Sequence, residues 1–134
     1  MAANKKLAAL AEKRVKNGQG DQTPGMCQKK VRQDIQDLYG SKFDAYHKGT
    51  AHASMKAWAG SPYAVDPENG SVVGDILYKR GTSGQPAGHV GIRVPGNRVA
   101  ENATRRTGRV HGGLGFVGLE DFGRVDLIVR LPQP

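Results

Sequence analysis

The sequence predicts a single domain of the α+β class, with helices in its first half and an antiparallel sheet in its second half. Apolar residues recur at helical spacing up to about residue 60, whereas short apolar runs separated by glycines follow Pro67. Helices and strands that are segregated along the chain are typical of α+β folds rather than of alternating βαβ units. At 134 residues, the chain can bury one hydrophobic core, and we expect residues 1–134 to form one domain.

The first predicted helix lies near the amino terminus, within residues 1–18. Apolar residues recur at helical spacing from Leu7 to Val15, and Asn4 is suited to cap the helix. Asn17, followed by a glycine, suits the end of the helix. This segment is expected as an extra amino-terminal helix.

The second predicted helix begins near the only cysteine and ends at Tyr39, before a glycine. One stripe of this helix carries the apolar residues Cys27, Val31, Ile35 and Leu38. The preceding pair Thr23-Pro24 suits an N-cap followed by proline at the first helical position. Cys27 is therefore expected in the first turn, on the side of the core.

The remaining elements are a third helix and several strands. The segment AHASMKAWA, residues 51–59, predicts a short helix that ends at a glycine. The segments GDILYKR, HVGIRV, NRVAEN and VDLIVRL predict strands of an antiparallel sheet. The glycine-rich segment at residues 111–123 lacks the Lys-Ser/Thr of a phosphate-binding loop, and we interpret it as a loop.

Composition and charge limit the class of protein. A formal net charge of +8 favours anionic partners, which include nucleic acid, anionic cell-wall polymer and acidic lipid. The basic residues are scattered and match no nucleic-acid-binding motif, so nucleic acid is an unfavoured partner. No apolar run reaches the roughly 20 residues of a membrane-spanning helix, and we expect no membrane insertion. The amino terminus does not resemble a secretory signal, which predicts synthesis in the cytoplasm.

The single cysteine excludes an internal disulfide and argues against a zinc site. The first turn of a helix favours a reactive thiolate, because its unpaired N–H groups and the helix dipole stabilise negative charge. By itself, however, Cys27 at this position favours a small buried packing residue, because free cysteines are among the most buried residues.

A catalytic thiol needs an imidazole to activate it and a third polar group to orient that imidazole. His89 is the strongest candidate of the four histidines, because it begins a strand in which Val90, Ile92 and Val94 face the opposite side. Gly91, on the same face as His89, would leave room for a thiol or a substrate backbone.

The returning strand offers Glu101 and Asn102 as the third polar group. A three-residue loop at residues 95–97 would place Glu101 on the same face as His89, whereas a two-residue loop would place Asn102 there. The order Gly-Asn after proline favours the longer loop and Glu101. Asn102 stays open as the alternative.

The segments GDILYKRG and GHVGIRVPGNRVAENAT, with a cysteine that opens a helix in the first half, resemble the core of the NlpC/P60 and CHAP peptidoglycan hydrolases, particularly those of phages. The resemblance covers about residues 23–131, and HVGI is its most specific piece. It implies a papain-like fold, with Cys27 as nucleophile, His89 as general base and Glu101 as the third member. The segment GMCQKKVRQ departs from the Asp-Cys-Ser-Gly pattern of NlpC/P60 enzymes and is closer to the CHAP pattern.

The resemblance predicts a monomeric cysteine peptidase or amidase that cleaves an amide bond of bacterial peptidoglycan and needs no cofactor. The backbone N–H of Cys27 would supply one oxyanion donor, and Gln22 in the preceding loop is a candidate for the second. Without a signal peptide, the protein would reach the wall after release, by injection or as part of a virion. The alternative is a non-enzymatic module of the same fold that attaches to wall polymer or nucleic acid through its basic surface.

Overall fold

The computed structural model describes residues 3–17, 27–103 and 113–134. These residues form four α-helices, which are α1 (Lys5–Lys16), α2 (Cys27–Tyr39), α3 (Ala51–Ala59) and α4 (Leu119–Phe122). They also form six strands, which are β1 (Ala64–Val65), β2 (Ile76–Lys79), β3 (His89–Val94), β4 (Arg98–Ala103), β5 (Gly113–Gly118) and β6 (Leu127–Val129). Short 3₁₀ turns lie at Asp44–Tyr46 and Pro67–Asn69. The predicted α+β class is confirmed, with helices packed on an antiparallel sheet.

The six strands form one sheet in the order β1-β6-β2-β3-β4-β5, and every neighbouring pair is antiparallel. Strand β6, which comes last in the order of the chain, lies between β1 and β2 in the sheet. Strands β3 and β4 lie in the interior of the sheet, with a hydrogen-bonded neighbour on each side. Side chains on these two strands are therefore held by the most constrained part of the fold.

Helices α1 and α3 have the predicted bounds to within about one residue, and α2 ends at Tyr39 as predicted. The predicted start of α2, with Thr23 as the cap and Pro24 as the first helical residue, lies outside the described residues. Asn4 caps α1 through its side-chain oxygen, which accepts a hydrogen bond from the Leu7 N–H at 3.2 Å. Helix α2 begins at Cys27 and is followed by Gly40, whose φ of +63° lies in the left-handed region that glycine tolerates. None of the helices in the described ranges is long and apolar enough to cross a lipid bilayer.

The main hydrophobic core lies between these helices and one face of the sheet. Val90, Ile92 and Val94 of β3 all face it, as their spacing predicts. The helices contribute buried residues to the same core, among them Leu7, Ala11, Val31, Ile35 and Trp58. Each fully buried aliphatic side chain of this kind stabilises the fold by about 1.5 to 3 kcal/mol.

A smaller apolar cluster covers part of the opposite face of the sheet. It contains Leu77, Val99 and Ile128 from three strands and Phe122 from α4. All four side chains are at most 2 % exposed. The sheet is thus buried on both faces near β3, and polar residues on that strand need partners inside the protein.

The structure corrects one sequence prediction and adds one strand that the sequence did not predict. The glycine-rich segment predicted as a loop forms β5 and α4 over its described part, and the short strand β1 was not predicted. Glycine disfavours strands, but pairing overrides this preference, because β5 satisfies the backbone of β4 that would otherwise be a buried edge. β1 has only two residues and owes its conformation to β6.

Candidate active site

The candidate site is built on the first turn of α2 and on the hairpin β3–β4. Cys27 is the first residue of α2 and is 7 % exposed, so its thiol borders both the core and a cleft. Val31 and Ile35, one and two turns later, are buried in the core and fix the rotation of the helix. This rotation places the predicted nucleophile over the sheet.

The hairpin between β3 and β4 has the three-residue loop that the order Gly-Asn after proline favoured. Val94 pairs with Arg98, which leaves residues 95–97 as the loop, and Gly91 pairs with Glu101. Gly96 and Asn97 have φ values of +85° and +53°, a conformation that Gly and Asn adopt more readily than other residues. This loop length sets which side chain of β4 shares a face with His89.

Glu101 contacts His89 directly, as the longer loop predicts. The Nε2 atom of His89 lies 2.6 Å from Oε1 of Glu101. The side chains are 8 % and 0 % exposed, so the contact is shielded from water. The His89 ring also stacks on Phe122, with 5.4 Å between ring centroids. Because Nε2 faces Glu101, Nδ1 is the ring nitrogen that remains for the thiol.

The pKa of His89 is raised above its ordinary value of 6.5. Burial alone would lower this pKa, but hydrogen bonds with Cys27 and Glu101, together with the charges of both groups, outweigh the cost of burial. The site therefore favours the protonated imidazolium next to the sulfur and the carboxylate. A thiolate beside an imidazolium is the reactive form of a cysteine–histidine pair.

A cleft of about 180 Å³ opens at the sulfur. Its walls are the first turn of α2, residues 49–51 at the start of α3, residues 85–88 before β3, and the side chains of His89 and Asn102. Both α2 and α3 begin at this cleft, so the positive ends of two helix dipoles meet there. The cleft therefore favours negative charge on a bound group.

Asn102 lies on the other side of β4 from Glu101. It is fully buried and lines both the cleft and a small cavity of about 10 Å³ beneath Cys27. Glu101 also lines this small cavity, but of the two residues only Asn102 lines the cleft. Glu101 contacts the imidazole, whereas Asn102 lies close to the cysteine.

Two other candidate features, Gln22 and the space beside Gly91, have different outcomes. Gln22 lies outside the described residues. The space beside Gly91 is filled by the protein, because a Cβ there would lie 2.4 Å from a methyl group of Val99. The interpretation of Gly91 as room for a thiol or a substrate is therefore wrong. Packing between adjacent strands and α4 explains this glycine instead.

The other histidines do not reach the cleft or are not described. The Nδ1 atom of His52 accepts a hydrogen bond from the Gly81 N–H at 2.7 Å, which anchors the segment before β3. His47 is buried beside Trp58, with 6.4 Å between ring centroids. His111 lies outside the described residues. Within the described ranges, no three His, Cys, Asp or Glu side chains are grouped as a metal site requires.

No protein-family model matches the chain, and no curated protein matches it.

Sequence reasoning missed several polar residues that line this cleft, and Gln28 is the buried one among them. Gln28, which directly follows Cys27, is 5 % exposed and lines the same cleft. Its side-chain oxygen accepts a hydrogen bond from the hydroxyl of Tyr78 at 3.0 Å. A glutamine in a helix has no distinctive sequence pattern, and its partner lies on β2, so only the fold brings the pair together.

Proposed function

We propose that this protein is a cysteine peptidase or amidase with a papain-like core that hydrolyses an amide bond of bacterial peptidoglycan. One observation carries the proposal: Cys27 and His89 line the same cleft, and Glu101 holds the far side of the imidazole at 2.6 Å. Nucleophile, base and orienting group thus stand in the order that nucleophilic catalysis requires.

In the first half of the reaction, the Cys27 thiolate attacks the carbonyl carbon of the amide. A C–S bond forms and the carbonyl oxygen becomes negatively charged. The C–N bond then breaks while the His89 imidazolium gives its proton to the leaving amine. The product is an acyl-enzyme in which the thioester carbon is bonded to Cys27.

In the second half, water attacks the thioester carbon and gives a proton to the neutral His89. The C–S bond breaks, which releases a carboxylic acid and restores the thiolate and the imidazolium. Glu101 accepts a hydrogen bond from His89 throughout, so the ring keeps the orientation that exposes Nδ1 to the cleft.

The choice of peptidoglycan as substrate is supported by the charge of the chain and by its resemblance to NlpC/P60 and CHAP hydrolases. A net charge of +8 concentrates the protein on anionic wall polymers. The segment HVGI, which carries the resemblance, is the first part of β3 and begins with His89. The protein would act as a monomer after release, by injection or as part of a virion.

The direct test is mass spectrometry of purified peptidoglycan after incubation with the protein. The wild type is expected to release fragments whose masses identify the amide bond that is cut. Cys27→Ala and His89→Ala are each expected to abolish release while thermal unfolding still shows a folded domain. Fragment release by a folded Cys27→Ala variant would refute the mechanism.

The same experiment separates catalysis from the non-enzymatic alternative. A binding module would sediment with peptidoglycan and leave its mass spectrum unchanged. Retention of wall polymer without new fragments, in the wild type as in Cys27→Ala, would favour that module.

A further inference from the structure

Gln28 combines two properties that its place in the helix does not require. The residue is only 5 % exposed, and its side-chain nitrogen Nε2 has no hydrogen-bond partner in the described structure. A buried amide donor without a partner costs about 1 to 3 kcal/mol. Such a cost calls for a role, and the residue lines the cleft beside Cys27.

Tyr78 holds this amide in one orientation. Its hydroxyl donates to the side-chain oxygen of Gln28 at 3.0 Å, and its ring is fully buried in the core. Burial raises the pKa of Tyr78, so the hydroxyl keeps its proton and remains a donor. Because the oxygen of the Gln28 amide is engaged by Tyr78, the nitrogen is left for another acceptor.

We propose that the side-chain N–H of Gln28 donates to the carbonyl oxygen that becomes negatively charged when Cys27 attacks the substrate, with Tyr78 as its positioning residue. This inference rests on the proposed function and adds to it an oxyanion donor within the first turn of α2. Gln28 would thus be the second oxyanion donor, the role for which the sequence made Gln22 a candidate. A preorganised donor at this place stabilises the transition state more than the substrate, because charge develops on the oxygen only during attack.

The test uses acetyl-alaninal, an aldehyde that forms a reversible adduct with a catalytic thiol. The sulfur of Cys27 bonds to the aldehyde carbon, and the carbonyl oxygen becomes the oxygen of a thiohemiacetal. This oxygen occupies the place of the oxyanion in hydrolysis. The dissociation constant is read from protection of Cys27 against alkylation by iodoacetamide, a reaction that creates no oxyanion.

Gln28→Met removes the donor without adding charge. We expect it to weaken acetyl-alaninal binding by roughly 10²-fold, as for the loss of one oxyanion donor. The rate of alkylation without aldehyde is expected to stay unchanged. Tyr78→Phe, which frees the amide to rotate, is expected to weaken aldehyde binding less. Gln33→Met, on the same helix outside the cleft lining, is the matched control and is expected to bind like the wild type.

Because Gln28→Met leaves the Tyr78 hydroxyl without its acceptor, the double variant with Tyr78→Phe is measured as well. Replacing both partners by apolar groups of similar shape preserves the core. The proposal is overturned if both Gln28 variants bind the aldehyde as the wild type does, or if their alkylation slows in parallel with aldehyde binding. If the wild type releases peptidoglycan fragments in that case, only the role of Gln28 fails. If aldehyde does not protect the wild type at all, the proposed function fails with it.

Discussion

At the scale of single residues, the central feature is a histidine held between a sulfur and a carboxylate. Hairpin parity predicted the partner of His89, because alternation along a strand is rigid and the loop length was the only unknown. The role of Gly91 was predicted wrongly, since sequence alone does not show which side chain fills the space beside a glycine. Gln28 was not predicted for the same reason: its partner Tyr78 is 50 residues away in the chain.

The pH dependence of hydrolysis tests the contact between His89 and Glu101. A raised pKa keeps the His89 imidazolium populated to higher pH. The contacts of this imidazolium with Cys27 and Glu101 therefore stabilise the folded site at low pH, and this stabilisation is lost as the pH rises through the pKa of His89. Glu101→Gln removes one of the causes of this increase. We therefore expect the alkaline limb of the pH–rate profile to move to lower pH, and the rate to fall by roughly 10²-fold.

The matched control is Glu12→Gln, which removes a carboxylate paired with Arg98 outside the cleft lining. It is expected to leave the alkaline limb where it is in the wild type. An unchanged limb in Glu101→Gln would show that the carboxylate does not control the charge of His89.

At the scale of elements, the helices and central strands were predictable because their apolar residues follow one period each. The failures were β1 and β5, whose sequences contain little local preference for a strand. Their conformation comes from pairing with β6 and β4, which is information that no local window contains. Asn4 was predicted to cap α1, but its hydrogen bonds to other parts of the fold were not predicted.

Asn4 connects α1 to the end of α2 and to the carboxy-terminal segment. Its side-chain nitrogen donates to the Tyr39 hydroxyl at 2.7 Å and to the Leu131 carbonyl at 3.2 Å, while its oxygen caps α1. We expect Asn4→Ala to lower the free energy of unfolding by about 2 to 4 kcal/mol, because it removes a cap and two further hydrogen bonds, of which one is buried and one partly buried.

Urea denaturation followed by circular dichroism measures this loss. Asn69→Ala, at an exposed position in a 3₁₀ turn, is the control and should change stability by less than about 0.5 kcal/mol. Equal stability of the two variants would show that Asn4 does not join α1 to the carboxy-terminal segment.

At the scale of the whole molecule, the proposed function relies on the net charge of +8 to bring the protein to anionic wall polymer. If attraction to anionic wall polymer concentrates the enzyme, salt must weaken it. We expect release of peptidoglycan fragments to slow as NaCl rises from about 50 mM to about 500 mM. Alkylation of Cys27 by neutral iodoacetamide is the control and is expected to be independent of salt. A salt-independent rate of fragment release would contradict steering by charge.

The α+β architecture and the pairing of His89 with Glu101 both followed from the period of the sequence, whereas the cleft did not. The cleft arises where the starts of α2 and α3 meet the segment before β3, and this meeting depends on packing across the whole domain. The sulfur of Cys27 lies at this meeting point, and the proposed hydrolysis depends on it.

The most direct test is the rate of iodoacetamide alkylation of Cys27 as a function of pH, in the wild type and in His89→Ala. If the imidazolium holds a thiolate in the cleft, the wild type reacts rapidly already near pH 6.5, and His89→Ala loses this reactivity, because an ordinary thiol ionises only near pH 8.5. Slow alkylation at pH 6.5 that is the same in both proteins, and that rises only toward pH 8.5, would contradict the account.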